Sequence, residues 1–438
     1  MKIALPANKL RFALLSLIFI SPLVFFLLQF PTSFGGDSSS YSQYATNLLA
    51  GRGYSILVEG IPTSNFREPV YPFLLAGLYA AFGVENLFPV VVVQSVMLGA
   101  AALLVAFLFI RLGKNNLGYL AGFAVALLPS YGLYAHTIGT ELPFMFVLML
   151  LFALSVLIAE RKEATSWKMW LLLGLLCGIG TLLRSQMLFF LPFLLCAYAA
   201  YTAFKHMPRL LLGAAVALAA FIVVVGSWSA YLHAETGSFS LTGIRPEMAL
   251  YIRAHRAELS YRDLTQYAHD WVVRSLSGGA ETKLLGANEY HTLQLEYRDT
   301  VLLAGKVEEV KKENIATILA HPGQYAYGNL IEVVKLAYIE HDYSDFLNKY
   351  VRALEYVFIY GFFLMGVALL CIKKGNKEER ILALLSIVFI AYNFLVLTPF
   401  DTIPRYNTPY LAFYLIVGFV GLSLLLRVRQ LPTYFIKR

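Results

Sequence analysis

The chain has 438 residues, of which 58% are hydrophobic and only 14% charged, and its mean hydropathy is +0.64. Soluble domains carry about 25% charged residues, so the composition excludes an ordinary soluble enzyme and points to a helical membrane protein. The formal net charge of +8 does not indicate a nucleic-acid partner, because the basic residues cluster in short loops between apolar runs.

A spanning helix needs about 20 apolar residues. Taken in chain order, the sequence predicts ten spans, at 10–30, 87–110, 117–134, 141–159, 168–184, 186–204, 210–232, 347–371, 380–398 and 407–426. Lys2, Lys9 and Arg11 precede the first run, as in a signal peptide. That run is long enough to span and no small-x-small cleavage site follows it, so it is read as a retained helix. Arg111 and Lys114 follow span 2, Arg161, Lys162 and Lys168 follow span 4, and Lys205 and Arg209 follow span 6. Lys373, Lys374, Lys377 and Arg380 follow span 8, and Arg427, Arg429, Lys437 and Arg438 follow span 10. With ten spans all of these lie on one side, which the positive-inside rule makes cytoplasmic, with both termini.

The other side receives residues 31–86, a tight turn near 135–140, the more polar segment 233–346 and a short turn at 399–406. The expected organisation is an N-terminal transmembrane module (1–232) with a first periplasmic loop (31–86), a periplasmic helical segment (233–346) and C-terminal transmembrane helices (347–438). The fold class is all-α and polytopic. Helical patterning continues outside the spans, as in "VLLAGKVEEVKKENIATILA", where Lys and Glu alternate with spaced apolar residues.

The first loop contains "GGDSSSYSQYATNLLAGRGYS". Tyr41, Tyr44, Ala45, Leu48 and Leu49 follow the i, i+3, i+4, i+7, i+8 spacing of one helix face. Asp37 or Ser38 would cap the start, Gly51 and Gly53 would stop the helix, and the apolar stripe suits the membrane interface. Gly35-Gly36 suits close approach of a ligand to the backbone. Taken alone, Asp37 reads as a cap. Other charged or polar residues share its side of the membrane: Arg67 and Glu68, then His136, Thr140 and Glu141 where span 4 begins, Arg184 between spans 5 and 6, and Asp401, Arg405 and Tyr406 where span 10 begins. A charge at membrane depth costs about 2.5–3.5 kcal/mol on insertion scales, so these residues face a cavity or a partner. Mutual pairing, such as Arg184 with Glu141, competes for any one of them, and a shared polar cavity accounts for all five places together.

No Walker-type loop is present, and "GIGTLL" from Gly178 lacks the third glycine of a dinucleotide fingerprint. Asp37, Glu68, His136, Glu141, His341 and Asp342 are metal-ligand types on the outer side, in no closed metal spacing. No cofactor is therefore assigned, and a divalent metal stays open. Cys177, Cys196 and Cys371 lie in apolar runs and read as small core residues.

Six segments in this order resemble the GT-C glycosyltransferases that use a polyprenyl-phosphate sugar, in particular the bacterial protein O-mannosyltransferase-like and lipid A aminoarabinose-transferase-like members. They are "GDSSSYSQYATNLLAGRGY", "REPVYPFLLAGLYAAFG", "TELPFMFVLMLLFAL", "GLLCGIGTLLRSQMLFFLP", "IATILAHPGQYAYGNLIEVVKL" and "IPRYNTPYLAFYLIVGF". Two departures stand out. Tyr231 and Leu232 replace an Arg-Asn pair that relatives carry after span 7, and the acidic loop motif is single at Asp37, with Ser38 behind it. The resemblance implies a GT-C fold of about ten transmembrane helices with periplasmic loop helices, in the bacterial cytoplasmic membrane. It implies transfer of a sugar from a polyprenyl-phosphate donor to a periplasmic hydroxyl on lipid, glycan or protein, with membrane lipid as a partner and no nucleic acid.

The residues suit that chemistry. A carboxylate can take the proton of the attacking hydroxyl, and Asp37 is the candidate, with Glu141 the second acidic residue assigned to the catalytic set. Guanidinium groups stabilise a leaving phosphate better than a lysine point charge, which selects Arg405 and Arg184 and then Arg67. Tyr41, Glu68, His136 and Tyr406 are expected to shape the pocket. A flippase for a polyprenyl-linked glycan, or a glycan polymerase or ligase, is the alternative. A flippase should show paired halves or inverted symmetry, and no repeat is found.

Overall fold

The computed structural model describes residues 7–28, 37–58, 61–63, 66–160, 166–201, 207–237, 239, 241, 245–277, 293, 295–302, 306–337, 346–373, 375–400, 402 and 404–428. Gly35, Gly36, His341, Asp342 and Asp401 lie outside the described residues, as do Lys2, Arg161, Lys162, Lys205, Lys374, Arg429, Lys437 and Arg438.

An apolar helix lies at each expected span. Six are long and apolar enough to cross a membrane: Asn8–Leu27, Leu87–Arg111, Glu141–Glu160, Leu211–Thr236, Lys377–Leu397 and Thr408–Leu426. A seventh is a broken pair, Asn115–Ala126 and Pro129–Ala135, bent by 51°. Proline lacks the N–H for the helical ladder and clashes with the preceding turn, so Pro129 starts a new helix instead of continuing the old one. Shorter apolar helices occupy Trp167–Leu183, Ser185–Tyr201 and Val357–Ile372, where the remaining spans are expected, and Val70–Phe82 adds another. The all-α reading holds apart from one short hairpin, Ile56–Val58 antiparallel to Ile61–Thr63, with Ile56 opposite Thr63.

The chain divides into two compact units. The first comprises Met1–Leu241, Leu354–Ala391 and Pro409–Arg438, and holds most of the apolar helices. Lipid offers helices no hydrophobic drive to associate, so close packing through small residues does that work. A Cβ on Gly174 would collide with the Ala217 carbonyl, and one on Gly366 would sit 2.5 Å from the Val417 carbonyl oxygen. Aromatic rings fill the wider gaps: Phe152 lies 5.4 Å from Phe389 and 5.1 Å from Phe413, and Phe190 4.7 Å from Phe389. The break at Pro129 is also stabilised in this unit. Glu355 Oε1 accepts the Ser130 backbone N–H at 3.1 Å, and Glu355 Oε2 the Ser130 hydroxyl at 2.9 Å.

The first-loop helix runs Ser38–Leu49 and ends as expected before Gly51 and Gly53, both at positive φ (71° and 75°). Three of the five positions of its apolar stripe face the protein, and Leu49 is exposed. Tyr41, Tyr44 and Ala45 are buried in the protein, with Tyr44 in a cluster formed with Tyr54, Ile56, Leu182, Trp228 and Leu232. The stripe is largely tyrosine, and buried tyrosines seek hydrogen-bond partners that lipid tails cannot supply. Tyr44 finds one in the Phe66 N–H at 3.1 Å, which fastens the helix to the loop before Arg67.

The second unit comprises Thr242–Ala353 and Tyr392–Thr408. Helices Arg245–Ala257, Tyr261–Ser277, Val307–Ala320 and Pro322–Ala337 form its body, with a small core of Leu264, Tyr267 and Ile331.

Candidate active site

Asp37 occupies the N-cap position of its helix and makes no side-chain cap bond. A capping side chain needs extended backbone at the cap residue. Asp37 instead has helical φ and ψ (−83°, −22°), which turns its carboxylate away from the helix end. Arg67 Nη2 donates to Asp37 Oδ1 at 2.5 Å, and Arg67 Nε donates to Ser40 Oγ at 2.8 Å. Ser40 Oγ in turn donates to the Asp37 carbonyl at 2.7 Å. The guanidinium lies 4.9 Å from the Tyr41 ring centre and 4.8 Å from that of Phe66. Arg67 is 2% exposed and the Asp37 side chain 26%, so the pair is buried on the cation's side and open on the carboxylate's. Burial lowers the Arg67 pKa, but Tyr41, Asp37 and Glu68 together hold it above its ordinary value. The cap reading is therefore replaced by an ion pair.

A second pair lies in the same unit. Arg184 has extended backbone (φ −149°, ψ 115°) between the helix Trp167–Leu183 and a 3-10 turn at Ser185–Met187. Its Nη1 is 3.3 Å from Glu141 Oε1, and both side chains are buried. Glu141 opens the helix Glu141–Glu160, where a carboxylate is favoured by the helix dipole. Glu68 Oε1 accepts the Ser185 N–H at 2.9 Å, so the residue after Arg67 holds the residue after Arg184.

Uncharged groups join the two pairs. The Tyr71 hydroxyl donates to Gln94 Oε1 at 2.9 Å and accepts the Gly139 N–H at 3.0 Å. Gln94 Nε2 donates to the carbonyls of Ala135 at 2.9 Å and Thr137 at 3.0 Å. The Ser38 hydroxyl donates to the Ile138 carbonyl at 2.7 Å, and Tyr71 packs edge-on to Tyr41 at 5.1 Å. The turn 136–140 is thereby tied to the first-loop helix. A Cβ on Gly139 would sit 2.5 Å from Glu141 Oε2, so a side chain there would displace that carboxylate.

Six expected site residues thus meet in one connected network: Asp37, Tyr41, Arg67, Glu68, Glu141 and Arg184. His136 is buried at its edge, with its ring 4.6 Å from that of Phe26. Arg405 and Tyr406 belong to the second unit, on the 3-10 turn Pro404–Tyr406, where the guanidinium lies 5.9 Å from the Tyr406 ring. Ser40, Tyr71 and Gln94 were not singled out from sequence, and Ser38 was read only as an alternative cap. Gln94 carried a signal, as a lone amide inside "VVVVQSV". Among the described residues no three His, Cys, Asp or Glu side chains gather to hold a metal ion. Asp37 and Glu141 each face an arginine.

Residues 66–228 match the family model described as dolichyl-phosphate-mannose-protein mannosyltransferase. An undecaprenyl phosphate-alpha-4-amino-4-deoxy-L-arabinose arabinosyl transferase of Pseudomonas aeruginosa is 30% identical over 208 residues. That match covers 46% of this chain and 37% of the relative, so the kinship spans little more than a third of the relative's length. The archaeal oligosaccharyltransferase AglB of Archaeoglobus fulgidus, solved with an inhibitory peptide and a dolichol-phosphate, superposes with a TM-score of 0.56 at 13% identity. The superposition covers 96% of this chain and 51% of that one. ArnT of Cupriavidus metallidurans, solved with undecaprenyl phosphate, gives 0.43 at 13% identity over 96% of this chain and 78% of that one. The archaeal structure carries the likeness of fold and residues 66–228 the likeness of sequence to the mannosyltransferase family model, and the chain is a multi-pass membrane protein with the GT-C fold.

Proposed function

We propose that the chain is a membrane glycosyltransferase that moves a sugar from a polyprenyl-phosphate donor to a hydroxyl acceptor outside the cytoplasm. One observation carries the reading: a carboxylate at a helix start that leaves the helix uncapped and pairs with a buried arginine at the open edge of a polar network. In the reaction the acceptor oxygen bonds to the anomeric carbon and the bond from that carbon to the phosphate oxygen breaks. The hydroxyl proton passes to Asp37, and polyprenyl phosphate leaves with the bonding electrons. General-base help of this kind is typically worth about 10²–10⁴-fold.

Arg405 and Arg184 stabilise the leaving phosphate, and Glu141 orients Arg184 through their pair. Arg67, ranked third for the phosphate from sequence, is engaged with Asp37 and Ser40, and its part is to fix the direction of the base. Tyr41, Glu68, His136 and Tyr406 border the sugar. The reading assigns residues 1–232 to an N-terminal transmembrane module, 233–346 to a periplasmic segment and 347–438 to the C-terminal helices. It places the protein in the bacterial cytoplasmic membrane with cytoplasmic termini and a periplasmic site. The name of the Pseudomonas relative suggests an undecaprenyl-phosphate aminoarabinose as the first donor to try; the acceptor is a lipid, glycan or protein.

Transfer in proteoliposomes tests this, with a panel of polyprenyl-phosphate sugars and native membrane extract as acceptor. Wild type should transfer sugar, and Asp37→Asn should lose about 10²–10⁴-fold while keeping donor affinity. Full transfer by Asp37→Asn removes it as the base. Lipid movement between leaflets by both proteins, with no transfer by either, makes the chain a flippase.

A further inference from the structure

The second unit holds a charged cluster that the reaction described above does not use. Glu332, on the helix Pro322–Ala337, is fully buried. Arg256 Nη1 approaches its Oε1 to 3.3 Å, Lys335 Nζ its Oε2 to 3.0 Å and Arg253 Nη1 its Oε1 to 3.7 Å. These three cations are themselves buried and lie against aromatic faces, Arg256 4.5 Å from the Tyr267 ring and Arg253 5.1 Å from that of Tyr325. A buried carboxylate so surrounded is costly to build and costly to break.

What distinguishes Glu332 is its partner from far along the chain. The Thr402 backbone N–H donates to Glu332 Oε2 at 2.7 Å. The Thr402 hydroxyl lies 2.6 Å from the same oxygen and 3.1 Å from the Glu332 carbonyl. The Tyr325 hydroxyl, two helical turns earlier, donates to the Pro399 carbonyl at 3.0 Å. The helix therefore grips the turn before the last span at two points, and it packs directly on the 3-10 turn Pro404–Tyr406. Arg405 is on that turn, three residues after Thr402.

We propose that Glu332 is a positioning residue for Arg405: it clamps the turn at Thr402 and so sets where the guanidinium meets the donor phosphate. The proposal rests on the phosphate-binding role assigned to Arg405 above. The three cations fix the rotamer of Glu332, and Glu332 passes that fixed geometry to Thr402. Thr402→Val is the mild probe, because it removes one hydroxyl and keeps the backbone N–H bond to Glu332. Glu332→Gln is the stronger one.

The experiment has two readouts on the full chain in nanodiscs. The first is hydrogen exchange of the peptide around Thr402, with or without any substrate. The Thr402 amide should be protected in wild type and should lose protection in Glu332→Gln. The second is affinity for undecaprenyl phosphate together with kcat and KM for transfer, in wild type and in an Arg405→Lys background. Thr402→Val should weaken the step served by Arg405 by about threefold to tenfold, the size of one hydrogen bond. Thr402→Ser should restore it. In the Arg405→Lys background Thr402→Val should cost far less, because groups acting as a unit are not additive. Equal losses in both backgrounds, or protection lost with donor affinity and rate unchanged, overturn the positioning role. An unprotected amide in wild type overturns the clamp itself. A wild type that binds no polyprenyl phosphate while the amide exchanges as expected sinks the functional reading and leaves the clamp standing as a structural element.

Discussion

At Arg67 two bonds leave one guanidinium at different nitrogens, Nη2 to Asp37 and Nε to Ser40. A lysine ammonium is a point donor on a flexible stem and cannot reproduce that fork. Arg67→Lys should therefore keep the charge and lose the direction of the carboxylate. A hydrogen bond to a charged group is worth about 1.5–3 kcal/mol, so kcat/KM should fall by about ten- to 150-fold in a protein that elutes and melts like wild type. An unchanged kcat/KM would mean that the fork does not orient the base. Asp37 and Arg67 stood out in the sequence as charges in an apolar chain. Their pairing did not, because 29 residues and a hairpin separate them and no periodicity relates them. The same holds for Tyr71, whose hydroxyl bridges Gln94 and Gly139 but which in sequence is one of 28 tyrosines.

At the scale of elements, the helices announced themselves through length and hydropathy, and their packing did not. The first-loop helix shows both sides of this. Its face and its glycine stop follow from spacing, while the surface it covers does not, since a Tyr-rich stripe fits either a lipid interface or a protein groove. Contacts between helices depend on small residues that look ordinary in an apolar run. Gly174 lies in "LLLGLLCGIG" and meets the Ala217 backbone of the neighbouring helix, with no room for a Cβ. Overpacking such a site costs about 1–3 kcal/mol and sometimes more. Gly174→Val should lower the thermal midpoint in detergent, whereas Gly77→Ala, which meets nothing within 4 Å, should leave it unchanged or raise it slightly. Equal midpoints for Gly174→Val and wild type would mean that the two helices part without cost.

For the whole molecule, the loop charges predict an orientation and the long apolar runs mark the spans, and both readings are independent of any contact. The division into two units was foreshadowed only by the drop in hydropathy within 233–346, and nothing in that drop indicates that residues 392–408 group with the second unit. That grouping depends on specific bonds, Thr402 to Glu332 and Tyr325 to Pro399, made by residue types common in any loop. Orientation can be tested directly. In a background without Cys177, Cys196 and Cys371, Lys114→Cys should react with an impermeant thiol reagent only after the cells are opened. Glu313→Cys should react in intact spheroplasts. The reverse pattern would place the site facing the cytoplasm and exclude the proposed periplasmic acceptor.

The break at Pro129 and the carboxylate of Glu355 are each a liability by itself. A helix broken within an apolar span leaves amide groups without partners, and an ionisable group at that depth lacks water. The Ser130 N–H and hydroxyl bond to Glu355, and each defect supplies what the other lacks. Neither position is then free to drift alone. Among descendants of this sequence, replacement of Glu355 by an apolar residue should be tolerated only where the proline or the serine has also gone, so the kink and the acid, 225 residues apart, are inherited as one character.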